Sequence, residues 1–202
     1  MAKYIYQNEN WTDFTWNEKV ISIIFGEIRN LQGRISGQMR AIGFATKEEA
    51  NLTALTLDVV KSSEIEGEIL NYEQVRSSIA RRLGLNVAGL ISSDRNIEGV
   101  VDIMIDATRN YKNNLTNERL FSWHSALFPT GYSGMYKIEV GDYRQGEMQV
   151  VSGAMGKEKI HYEAIPPTFV KKEMNDFIDW VNSDTSLDPI LKAAIAHFWF
   201  II

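Results

Sequence analysis

The chain has 202 residues, 45% hydrophobic and 11% aromatic, with no cysteine and a formal net charge of −5. That length suits one large domain or one and a half small ones around a substantial core. The missing cysteines exclude a disulfide scaffold and a thiolate nucleophile and favour a reducing compartment, here the cytoplasm. No secretory apolar segment opens the sequence, no run approaches the roughly 18 residues of a membrane span, and the scattered Lys and Arg argue against a nucleic-acid backbone as main partner. All four prolines lie beyond residue 128 (Pro129, Pro166, Pro167, Pro189), so only glycine interrupts the helices before them. Thr15 with Glu18 forms a capping box, followed by Val20, Ile21, Ile24, Phe25, Ile28 and Leu31 at helical spacing. Thr46 and Glu49 form a second box, opening a helix that carries Leu52, Leu55, Val59 and Val60 towards Ile65, with Gly67 as its C′ residue. Asn71 with Gln74 predicts the next start and Gly84 the next stop. Ser93 is placed to cap a helix bearing Ile97, Val100, Val101, Met104, Ile105 and Tyr111. Thr116 introduces the helix of Trp123 and His124, which Pro129 ends. Beyond Gly131 the period shortens. Met148–Val151 and Ile160–Glu163 read as short strands of a hairpin with its loop around Gly153–Lys157. Pro166-Pro167-Thr168 launches a helix with Phe169, Val170, Met174, Phe177, Ile178 and Val181, and Asp188-Pro189 caps a terminal one. The class is all-α with a β-hairpin flap. Gly26, Gly33, Gly37 and Gly43 make no phosphate-loop spacing and read as helix packing and turns.

The terminal helix, Ala193 to Ile202 (A-A-I-A-H-F-W-F-I-I), resembles the Ala-rich helix of the Fic family of nucleotidyl transferases. In that family it runs into a loop H-P-F-x-[DE]-G-N-G-R. On this resemblance the sequence ends at the residue before the expected catalytic His. Trp123-His124 with Leu127-Phe128-Pro129 resembles the family's W-H-x-x-L-F-P, and Gly141-Asp142-Tyr143-Arg144 its G-x-Y-R. The stretch from Met148 to Pro167 resembles its flap and the proline pair that follows. Upstream, Ser62-Ser63-Glu64-Ile65-Glu66-Gly67 is similar to the family's inhibitory motif [S/T]-x-x-x-E-[G/N]. The first 45 residues, with Tyr4-Ile5-Tyr6-Gln7, Trp11, Phe14-Thr15-Trp16 and Gln32-Gly33-Arg34, resemble a small domain often found ahead of Fic cores.

The resemblance implies a Fic-type helical bundle in three parts: an N-terminal helical domain over 1–45, an inhibitory-helix region over 46–90, and a Fic core over 91–202 without its catalytic loop. It implies transfer of AMP from ATP, with Mg²⁺, to a hydroxyl of a target protein docked on the flap at Met148–Glu163. Base, metal ligand and phosphate cradle would all lie in that loop, so no residue shown is assigned a catalytic or metal-binding role, and residues 1–202 alone are expected to be inactive. Glu66 would pair with the loop arginine that otherwise holds the ATP γ-phosphate, and Ser62, one turn earlier, would support it. Spacing alone reads Glu66 as a solvated acidic turn and Ser62 as a surface hydroxyl. The alternative to an enzyme is a helical regulatory or partner-binding module. A homodimer is expected, with Tyr4, Tyr6, Trp11 and Trp16 as an exposed apolar patch. His124 and His197 read as hydrogen-bonded structural histidines and His161 as an exposed flap side chain. Arg144 is placed to anchor the flap base to an acidic group, an ordinary surface salt bridge being the alternative.

Overall fold

A computed structural model describes residues 3–41, 44–86, 88–154 and 156–202. Its described residues form seven α-helices and two small antiparallel hairpins, the expected all-α class with a β-hairpin flap. The helices are α1 (Glu18–Ala41), α2 (Phe44–Ile65), α3 (Tyr72–Leu83), α4 (Arg95–Arg109), α5 (Asn117–Leu127), α6 (Pro167–Asn182) and α7 (Pro189–Ile201). Strands β1 (Tyr132–Ser133) and β2 (Tyr136–Lys137) make the smaller hairpin, and β3 (Gln149–Ser152) and β4 (Lys159–Glu163) the larger. The chain divides into two compact units: Met1–Thr15 with Asn113–His124 and Ser133–Ile202, and Trp16–Lys112 with Ser125–Tyr132.

The second unit is organised by α2, α3 and α4. Leu52 and Val59 of α2, Val75, Ile79 and Ala80 of α3, and Ile97 and Val101 of α4 form one buried cluster. The caps that frame these helices follow local rules. Asn71 accepts the Gln74 amide at 3.0 Å, and Gly84 ends α3 at φ 67°. Gly67, at φ 86°, donates to Glu64 O at 3.1 Å while Glu68 donates to Ser63 O at 2.9 Å. Those two bonds are a Schellman closure, so α2 stops where a left-handed residue is required.

Several boundaries differ from the sequence reading. Asn17, not Thr15, starts α1, its side-chain oxygen accepting the Lys19 and Val20 amides. α2 begins at Phe44, which places Thr46 inside its first turn. Asp94 rather than Ser93 caps α4 by accepting the Ile97 amide at 2.9 Å, and Tyr111 lies beyond the helix, 69% exposed. Gly26, Gly33 and Gly37 do not pack: a methyl group at any of them would meet nothing within 4 Å. Gly43 lies outside the described residues. α1 buries no residue along its length, and Val20, Ile24, Leu31 and Ile35 form an exposed stripe.

In the first unit, Thr116 caps α5 by accepting the Arg119 amide, and Asp188 caps α7 by accepting that of Ile190. α6 and α7 contribute Phe177, Ile178 and Ile195 to its interior. Residues 3–15 pack there too, so their aromatics do not form an exposed patch: Tyr4 is buried and Tyr6 and Trp11 are half-buried. Trp16, in the other unit, is also half-buried.

Candidate functional site

The flap is largely exposed: β3 is exposed along its whole length and β4 over its first three residues. β3 pairs antiparallel with β4, Val150 facing Tyr162 and Val151 facing Ile160, and the register shifts between Val150 and Val151. That shift is a β-bulge, which bends the ribbon. Val150, Val151 and Ile160 are all more than a third exposed, and among the described residues the sheet has two strands, so each presents an outer edge of backbone groups that no third strand pairs. Gly153 allows the turn: its φ is 113°, and a Cβ there would lie 2.8 Å from the Lys157 carbonyl. His161 is exposed as expected, with Nε2 2.6 Å from the Ser152 hydroxyl across the hairpin. Met155, in the expected loop, lies outside the described residues.

The flap base is anchored by residues of the Gly-x-Tyr-Arg stretch. Arg144 donates to the Gly146 carbonyl at 2.8 Å and to that of Ile165. It therefore anchors the flap as expected, but to carbonyl oxygens instead of an acidic side chain. The Tyr143 hydroxyl donates to Asn117 of α5, and burial first, then the charges of Asp142 and Glu118, push its pKa up. His124 Nδ1 accepts the Gly141 amide at 3.2 Å, the structural role expected of it. His197 departs from expectation: it is exposed and makes no hydrogen bond among the described residues.

A cavity of about 180 Å³ lies beside this base, lined by Trp11, Met148, Ile165, Phe177, Phe200 and Ile202 among others. Its wall is mostly apolar. Its one cation, Arg144, is engaged by the two carbonyls, so the cavity offers no ready phosphate site. Among the described residues, no group of three or more His, Asp or Glu is placed to hold a metal ion. The residues present therefore do not fit ATP or Mg²⁺ by themselves.

Ser62 and Glu66 lie one turn apart at the end of α2, and both are exposed. Glu66 occupies the C-cap, immediately before the left-handed Gly67. Neither side chain has a hydrogen-bond or ionic partner among the described residues, whereas Glu64 pairs with Lys61 at 2.5 Å. Ile65 and Ile69, on either side of Glu66, are 82% and 91% exposed. A carboxylate at a helix C-terminus gains nothing from the helix dipole, so this one contributes little to local stability.

Sequence reasoning missed a second polar cluster, also in the second unit. Glu98 of α4 accepts from Arg81, Arg82 and the Ser93 hydroxyl, and Arg82 also donates to Asp102. Burial by itself would raise the Glu98 pKa. The hydrogen bonds from Ser93, Arg82 and Arg81 outweigh it and hold the carboxyl at about 2. The only sequence signal was Glu98 and Asp102 at i,i+4 opposite the consecutive Arg81-Arg82, which means nothing until α3 and α4 are set side by side.

Comparison with known families assigns most of the chain to two segments. Residues 114–202 match the Fic/DOC family model, which supports Fic family membership. Residues 4–85, which include Ser62 and Glu66, match the model described as Domain of unknown function (DUF4172). No curated protein matches the chain. Members of the Fic/DOC family are often transferases. No helix among the described residues is long and apolar enough to cross a membrane.

Proposed function

We propose that this chain forms part of a cytoplasmic transferase that moves AMP from ATP to a hydroxyl side chain of a target protein, and that Glu66 holds the enzyme off at rest. The Fic/DOC match over α5 to α7 carries the reading. The flap supports it physically, because an exposed strand edge aligns an extended target segment through main-chain hydrogen bonds without reading much sequence. Glu66 supports the inhibitory part: it is exposed, without an ionic partner among the described residues, and fixed at a Schellman turn. ATP and Mg²⁺ belong to the proposal through the family. A loop of the H-P-F-x-x-G-N-G-R type would bring the groups that hold them.

The test uses a protein that carries such a loop after Ile202. Glu66→Gly is expected to raise ATP-dependent labelling by about tenfold or more, the worth of one modest ion pair to the arginine. Glu64→Gly, which removes only the Lys61 pair, should leave labelling unchanged. Equal labelling by wild type and Glu66→Gly would return Ser62 to Gly67 to the role of a solvated turn. A second reading, a partner-binding helical module that can be a homodimer, is favoured by the uncovered apolar stripe of α1. Sedimentation of a monomer at tens of micromolar, roughly where weak interfaces populate, would count against the dimer.

A further inference from the structure

Residues 3–15 hold the flap without sharing a sheet with it. Gln7 Oε1 accepts the Lys3 and Tyr4 amides at 2.7 and 3.1 Å, closing a 3-10 turn over Ile5–Gln7. The turn presents Tyr4 and Tyr6 as a stacked pair, with ring centroids 5.9 Å apart. Tyr162 of β4 sets its edge against both, at 5.2 and 6.3 Å. Its hydroxyl donates to the Ile202 carbonyl at 3.0 Å, tying the strand to the end of α7. Further along, Trp11 meets Trp199 edge-on at 5.6 Å, and Phe14 meets Phe198 at 5.8 Å. Trp199 in turn touches Phe177 and Trp180 of α6. Two ring clusters thus hold the N-terminal segment, one against the flap strand and one against α6 and α7.

Every described backbone hydrogen bond of this segment is local, from Gln7 to Tyr4 through Phe14 to Thr12. The segment is gripped by side chains alone. Two groups within the contact are also polar: the Tyr4 hydroxyl and the Trp199 indole N–H are buried with no close hydrogen-bond partner among the described residues. Aromatic packing with orphaned donors is strong enough to position a neighbour, yet it leaves polar groups that regain water on release.

We propose that residues 3–15 are a strap that sets the position of the flap, with Tyr4 and Tyr6 clamping Tyr162 and with Trp11 and Phe14 fastening the strap to α7. These are positioning residues. The strap itself stands on the geometry above; its consequence for target docking rests on the transferase reading. Because Tyr162 lies opposite Val150, next to the bulge, releasing it frees the ribbon at the point where its register already shifts.

The experiment is hydrogen exchange on the 202-residue chain, read at the amides of β3 and β4. Tyr4→Ala with Tyr6→Ala is expected to speed exchange there by about tenfold or more, while the α2–α4 core stays protected and shows that the protein remains folded. Tyr4→Phe with Tyr6→Phe keeps the rings and should restore wild-type exchange. Trp11→Ala with Phe14→Ala should give the same flap-local loss, although neither residue touches the flap strands through a ring. Tyr136→Ala, at an 80% exposed aromatic, should change nothing at β3 and β4. Unchanged flap exchange in the double alanine variants would overturn the proposal. So would a loss spread evenly over α5, α6 and α7, which would make the segment an ordinary piece of core. These outcomes do not depend on transfer, so an inactive full protein would sink the transferase reading and leave the strap standing.

Discussion

Helices α1 and α2 are close in length, 24 and 22 residues, and follow one another in the same unit, yet they differ in what they bury. α1 has the more regular apolar stripe and no buried residue. α2 buries Leu52, Thr56 and Val59, a stripe interrupted by a threonine whose hydroxyl donates to the Leu52 carbonyl at 2.6 Å. Helical periodicity therefore marks that a helix has a face. Whether the face is covered depends on what lies opposite, and here α3 and α4 lie opposite α2. An isolated helix gains little stability from propensity alone, so the two should respond very differently to the same substitution.

The largest expected effect is at Leu52, which is fully buried. Leu52→Ala should cost about 3 kcal/mol in denaturant unfolding, lost transfer energy plus a cavity. Leu31→Ala on α1, at a side chain 54% exposed, should cost less than about 0.5 kcal/mol. Equal losses would mean that the stripe of α1 is covered in solution, and the contrast between the helices would collapse.

The second effect concerns charge. Glu98 is held at about 2 against an ordinary 4.5, with its side chain 30% exposed. A carboxyl depressed on folding contributes stability that is present above the unfolded pKa and lost as pH falls through the folded one. The window is therefore pH 4.5 down to about 2. At neutral pH the contribution is on the order of 2 to 3 kcal/mol. Glu98→Gln should lower stability by about that much at pH 7, and its deficit should shrink as pH falls through the window. A deficit independent of pH would show that the hydrogen-bond geometry matters and the charge does not. On α1, Glu27 and Arg34 have no partner among the described residues.

Much of the fold was legible because helix ends obey local rules. Asn71, Gly84, Thr116, Asp188-Pro189 and Gly67 each cap or stop a helix where the sequence says they should. The misses at Thr15 and Ser93 share one cause: a second capping residue stands close by, Asn17 and Asp94, and only the helix it starts decides between them. What no local rule could supply is contact between distant segments. Tyr162 looked like one more strand residue until the N-terminal rings came to meet it, and Arg81 and Arg82 looked like a basic last turn until Glu98 lay across from them. The exposure of Ser62 and Glu66 suits both a solvated turn and an inhibitory motif, so their role came from resemblance and not from spacing.

The glycines give the smallest effects and the sharpest sign. At Gly99 of α4, an added Cβ would lie 1.9 Å from the carbonyl oxygen of Ala126, a backbone atom that no rotamer can move aside. Gly99→Ala should therefore cost about 1 to 3 kcal/mol through overpacking. At Gly33 of α1, nothing lies within 4 Å and the backbone is helical, so alanine meets no obstacle. There the substitution should stabilise by about 0.5 to 1 kcal/mol, because alanine loses less backbone freedom on entering a helix. One amino-acid change thus carries opposite signs in two helices of one unit, measured as opposite shifts of the denaturation midpoint. If Gly33→Ala destabilised instead, the back of α1 would have to be packed against something that comes within a methyl group of it. The uncovered stripe on the other side would then no longer set this helix apart from α2.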